Sequence, residues 1–149
     1  MKRSSLYVLA AALIAAFAMA LLPTQQPVSA DEHGDKAKSR EVIHEAMEEL
    51  ASHYRQVRRG MRDAGKNAET AGLLAEMIQK AVEAKAHLPE TASTDDLKTT
   101  YRVVMNKLIV ALANAENAAL TGDQDKLRDY VLEANTVKGE GHELFIPEE

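Results

Sequence analysis

The chain has 149 residues, a formal charge of −5 at pH 7, 46% hydrophobic residues and no cysteine. An acid excess argues against a nucleic-acid partner, whose phosphates require a basic surface. The missing cysteines exclude disulfides, iron–sulfur clusters, cysteine zinc sites and any thioether-linked cofactor.

Residues 1–30 read as an export signal. Met1-Lys2-Arg3 is a basic start, Leu6 to Leu22 an apolar run, and Val28-Ser29-Ala30 a small-residue cleavage site, so the expected mature chain begins at Asp31 and is periplasmic. Removing this segment, which carries Lys2 and Arg3 and no acids, takes the formal charge from −5 to −7 and leaves 119 residues for one domain, 31–149. No membrane contact is expected once the signal is gone, and a monomer is the simplest state. Cleavage there would also expose Asp31-Glu32-His33, whose amine, amides and third-position imidazole suit planar copper or nickel.

Residues 31–38 (DEHGDKAK) are polar and predict a frayed start. Apolar side chains at Ile43, Met47, Leu50, Tyr54, Val57 and Met61 then recur in steps of four and three, the period of one face of a bundled helix, from about Ser39 to Arg62. Gly65-Lys66-Asn67 breaks that helix, and Asn67 is the expected N-cap of a second one carrying Leu74, Met77, Ile78, Ala81 and Leu88. Pro89 closes it. Thr94 or Asp95 caps a third helix with Leu97, Tyr101, Val104, Leu108, Ala111 and Ala115, which stops at Thr121-Gly122-Asp123. The fourth runs from about Gln124 to Phe145 and buries Leu127, Val131, Ala134 and Val137, with His142 and Phe145 at its end. Gly139 and Gly141, each costing about 1 kcal/mol against alanine in a helix, point either to fraying or to close approach of something bulky. Nothing alternates with period two. The expectation is an all-α, antiparallel, up-down-up-down four-helix bundle.

Five histidines are available: His33, His44, His53, His87 and His142. His44 and His53 read as peripheral, and His87, beside Leu88-Pro89, as a helix-terminal structural group. His142 is set on the inner face, near a helix end. Met47 falls on the seam of helix one, about two turns in, while His142 is about one turn from the end of helix four. In an antiparallel pair those positions meet. Thioether and neutral imidazole are an axial pair for haem iron, and filling both positions favours electron transfer. No nucleophile–base pair or phosphate-binding glycine loop stands out, and Gly139-Glu140-Gly141-His142 lacks the Glu-x-x-His spacing of a di-iron bundle. An enzyme is not expected.

Met47-Glu48-Glu49-Leu50, His142 twenty residues after Gly122, Asn67-Ala68 and the Leu97-Lys98 to Arg102 stretch together give the chain its family likeness. From roughly Val42 to Phe145 it resembles the cytochrome b562 family of periplasmic four-helix haem proteins, and more distantly the c′-type cytochromes. The resemblance implies one non-covalent haem b, its iron held by Met47 and His142, and an electron-carrier role with a redox partner protein still to be identified. It also implies that Tyr101 and Met105 occupy positions where the family packs aromatic side chains on the porphyrin, and that Lys138 stands where the family has a basic residue near a propionate. Ile146 replaces a second basic residue, and Met105 replaces an aromatic one. Lys138 and Gly141 stand where c′-type chains carry cysteines. The alternative is a haem-free bundle of the same fold that binds copper or a protein partner.

Overall fold

The computed structural model describes residues 32–146, with side chains from residue 35 onward, so the export signal, Asp31 and the side chains of Glu32 and His33 lie outside what is described. Four α-helices follow one another: α1 (Glu32–Gly60), α2 (Asn67–Ala86), α3 (Asp95–Thr121) and α4 (Gln124–Phe145). They form an all-α antiparallel bundle, and no strand occurs among the described residues.

The helix ends follow local chemistry. The Thr94 hydroxyl accepts from the Leu97 amide at 3.2 Å and starts α3. Gly122, at φ 74°, ends α3 in the left-handed region where a side chain would be strained. Asp123 then caps α4 through the Lys126 amide at 3.1 Å, and that backbone bond, with the Lys126 ammonium, holds its carboxyl below the usual range.

Two boundaries depart from the sequence expectation. α1 begins at Glu32 and not near Ser39, so the polar stretch expected to fray is helical. Ser39 lies within reach of α2, its hydroxyl 3.4 Å from Nδ1 of His87, which fastens the start of α1 to the end of α2. Asn67 is the first residue of α2, not its cap, and follows a single 3-10 turn, Ala64–Lys66. Its side chain is used elsewhere: Oδ1 accepts from Nε2 of Gln124 at 2.6 Å, tying the start of α2 to the start of α4. The second helix also stops at Ala86, two residues before Leu88.

The core is a column of small and branched side chains. Val57, Leu74, Ala81, Ala84, Ala115 and Leu127 are fully buried. α2 and α3 contribute many alanines, including Ala71, Ala81, Ala84, Ala111, Ala115, Ala118 and Ala119. Small contact residues let helix axes approach closely. The backbones pack tightly for α1 with α2, α2 with α3, and α3 with α4; α1 and α4 hardly approach within 8 Å at their Cα atoms. The fourth seam of the bundle is therefore its loose one.

Candidate functional site

A crevice in that loose seam is lined by Leu50 and Tyr54 of α1, Met77 of α2, Leu108 of α3, and Ala134, Asn135 and Lys138 of α4. Helical projection, at about 100° per residue, fixes which flank of each helix faces it. On α1, Glu49 and His53 turn toward α2, where Lys80 lies 3.0 Å from Glu49 and Glu76 lies 3.1 Å from Nε2 of His53. Met47 and Tyr54, seven residues apart, share the opposite flank and so face α4. On α4, Glu133, Val137 and Glu140 line a groove with Val103 and Val110 of α3. His142 lies on the other flank, with Asn135 and Lys138, and so faces α1.

The level matches as well as the azimuth. Met47 precedes Leu50 by about 4.5 Å along α1, and His142 follows Lys138 by about 6 Å along the antiparallel α4, at 1.5 Å per residue. Both steps leave the crevice toward the same end of the bundle. The thioether and the imidazole are thus the next side chains of their helices beyond the crevice.

The structure corrects one expectation about His142. Its side chain is exposed, not on the inner face. The inner stripe of α4 runs through the buried Leu127, Val131, Ala134, Val137 and Phe145, and His142 flanks it. Its solvent exposure follows from the open seam, since α1 does not close over that flank. Met47 is half-buried against the core. The His142 ring has no hydrogen-bond partner among the described residues, which leaves its nitrogens available.

The last turn carrying His142 is firmly held. α4 is helical through both glycines to Phe145, so fraying does not occur. A Cβ on Gly141 would lie 3.1 Å from Cγ1 of Val104, showing close approach of α4 to α3, whereas Gly139 meets nothing within 4 Å. The Thr91 hydroxyl donates to the Phe145 carbonyl at 2.9 Å. The Phe145 ring meets Tyr101 edge to face, centroids 5.3 Å apart. Tyr101 is itself buried, its hydroxyl donating to the Ala84 carbonyl at 2.8 Å, and burial pushes its pKa up to about 12. Met105, one turn further along α3, is buried too.

Lys138 is half-buried at the crevice wall and has no ion pair among the described residues. A partly desolvated cation without a carboxylate invites an anionic group. Tyr54 stands across the crevice; burial raises its pKa, with Arg58 nearby lowering it. Sequence reasoning treated Tyr54 only as a seam residue and overlooked Asn135. A heptad step from Met47 and from His142 finds them, because residues seven apart share a flank.

The other histidines take structural places. His44 is exposed, 3.5 Å from Glu48. His53 is less peripheral than its sequence position suggests: its side chain is 19% exposed. Among the described residues no three His, Asp or Glu side chains cluster to hold a metal ion. No described helix is long and apolar enough to cross a membrane.

The donor set fits a haem: a half-buried thioether, an unpartnered imidazole, an unpaired lysine for a propionate, and a seam whose helices are not closed on one another. Neither curated proteins nor solved structures give a match to the chain. The family comparison does, matching residues 42–145 to cytochrome b562. With well over half of its length so matched, the chain belongs to the cytochrome b562 family of haem-binding electron-transfer helical proteins.

Proposed function

We propose that this chain is an electron carrier that holds one haem b non-covalently in the α1/α4 seam, with Met47 and His142 as axial ligands of its iron, and that it works in the periplasm after loss of residues 1–30. What supports the reading is that helical projection puts Met47 and His142 on the facing flanks of α1 and α4, beyond the same end of the crevice between them. When bound, haem supplies a reversible one-electron couple, and the protein tunes it through ligand identity and burial.

The chain's own residues do the rest. Met47 offers a soft, neutral sulfur that favours the reduced metal and raises the potential relative to two imidazoles. His142 offers a nitrogen on a turn fixed by Thr91, Tyr101 and Phe145. Leu50, Met77 and Leu108 keep the crevice apolar and exclude water from it. Lys138 neutralises a carboxylate at its edge. Tyr101 and Met105 stiffen the α3 wall behind. Two ligands retained in both oxidation states keep rearrangement small during transfer.

Titration of the purified protein with haemin, followed optically, tests this. The expected result is one equivalent bound, with a sharp reduced Soret band and α band. Met47→Ala should convert the spectrum to high-spin and lower the midpoint potential, and His142→Ala should weaken haemin binding more severely. An unchanged reduced spectrum in either variant refutes that ligand. No spectral shift at all on haemin addition refutes the haem reading and leaves the haem-free bundle.

A further inference from the structure

The C-terminal part of α1 and the turn after it carry Arg55, Arg58, Arg59, Arg62 and Lys66 against a single carboxylate, Asp63. All five cations are exposed, and none forms an ion pair among the described residues. Asp63 is turned to the backbone, accepting from the Gly65 amide at 2.9 Å. Elsewhere Lys80, Lys98, Lys126 and Arg128 sit against carboxylates at 2.8 to 3.3 Å. In a chain with a net charge of −5, this stretch alone is strongly positive.

Arg55, Arg58 and Arg59 fall within an arc of about 100° and about 6 Å of helix length, and Arg62 and Lys66 follow just past the end of α1. Val57, fully buried, marks the opposite side of α1. The result is a convex, solvated row of guanidinium groups. No large hydrophobic side chain is exposed between residues 55 and 66. A protein partner would want an apolar, desolvated centre there. A planar field of phosphates asks only for charge and for the forked donors of arginine. Duplex nucleic acid offers phosphates too, but the surrounding acidic surface would repel a long polyanion. Mobile headgroups can instead gather beneath the patch.

Against the sequence expectation of no membrane contact, we propose that this arginine facet docks the bundle peripherally on an anionic phospholipid surface. The contact lies on α1 about 16 Å from Met47, counted from Arg58 at 1.5 Å per residue, which leaves the far end of the α1/α4 seam free. It does not depend on haem. Net charge hides it, because the positive stretch is outvoted by the remainder of the chain.

Sedimentation with vesicles tests the docking. Full-length protein should partition onto vesicles of equal phosphatidylglycerol and phosphatidylcholine at least tenfold more strongly than onto phosphatidylcholine alone, and raising salt from 0.1 M to 0.5 M should remove the difference. Arg58→Gln with Arg62→Gln should weaken binding to the anionic vesicles about 25-fold, from about fivefold for each cation lost near the surface. Glutamine matches arginine in helix propensity, so the circular dichroism spectrum should not change. Arg102→Gln with Lys107→Gln, on exposed positions of α3, should leave partitioning unaltered. All these proteins share residues 1–30, so that apolar segment contributes equally to each. Equal binding to both vesicle types, an equal loss in the α3 variant, or tighter binding to duplex DNA at matched phosphate concentration overturns the proposal.

Discussion

Replacing Tyr101 by phenylalanine removes one hydroxyl and leaves the ring that meets Phe145. The lost hydrogen bond, 2.8 Å to the Ala84 carbonyl, is buried. That carbonyl also accepts from the His87 amide at 3.1 Å, so it keeps a partner and the full penalty of an orphaned acceptor is avoided. The cost should be about 1 kcal/mol, a neutral hydrogen bond's net contribution, or about 4 °C in Tm for a domain of this size. The pH dependence is more diagnostic. Burial raises the Tyr101 pKa from 10.0 to about 12, so the folded state holds a proton that the unfolded state releases. The associated stability is fully present below pH 10 and is lost as pH rises toward 12. One proton difference gives a slope of about 1.4 kcal/mol per pH unit, so the wild-type advantage should vanish about one unit above the unfolded pKa, near pH 11. Urea melts of both proteins between pH 8 and pH 11 measure this directly. A gap that stays constant over that range, or no gap at pH 8, would refute the account of Tyr101.

Thr70 is 1% exposed and its hydroxyl lacks a hydrogen-bond partner among the described residues, so Thr70→Val should stabilise the protein by about 1 kcal/mol in the same melts; a loss of stability would mean the hydroxyl is satisfied after all. The two glycines of α4 should part company on substitution. Gly139→Ala meets open space and should gain about 1 kcal/mol from helix propensity, whereas Gly141→Ala must displace Val104, stiff at χ1, and should gain little or lose. Equal gains at both positions would contradict the close approach of α3 and α4.

Most of the bundle was legible because its signal is local. Steps of three and four locate the buried stripes of α2, α3 and α4, and Gly122 and Thr94 mark ends that a single residue's backbone or hydroxyl can set. The misreadings fall where a distant partner decides. Ser39 gains His87 and Asn67 gains Gln124, each about fifty residues away in sequence, and neither pairing leaves a trace in composition. Ala46, Ala92, Ala118 and Ala119 were likewise overlooked as core, because alanine is equally at home on a helix surface.

The posture of the candidate site was not legible in the sequence, and the reason lies in α1. Its stripe is less buried than the others: Ile43, Met47, Tyr54 and Met61 are only half-covered, while Ala46, Leu50 and Val57 are buried. A periodic pattern reports that a face is apolar and says nothing of how near the next helix stands. The seam α1/α4 is faced by Met47, Tyr54, Asn135, Lys138 and His142, side chains bulkier and more polar than the alanines elsewhere. Such residues keep two helices apart and gain little from meeting each other. Packing alone would favour alanines there as well, and Lys138 stands half-buried with no carboxylate paired to it among the described residues.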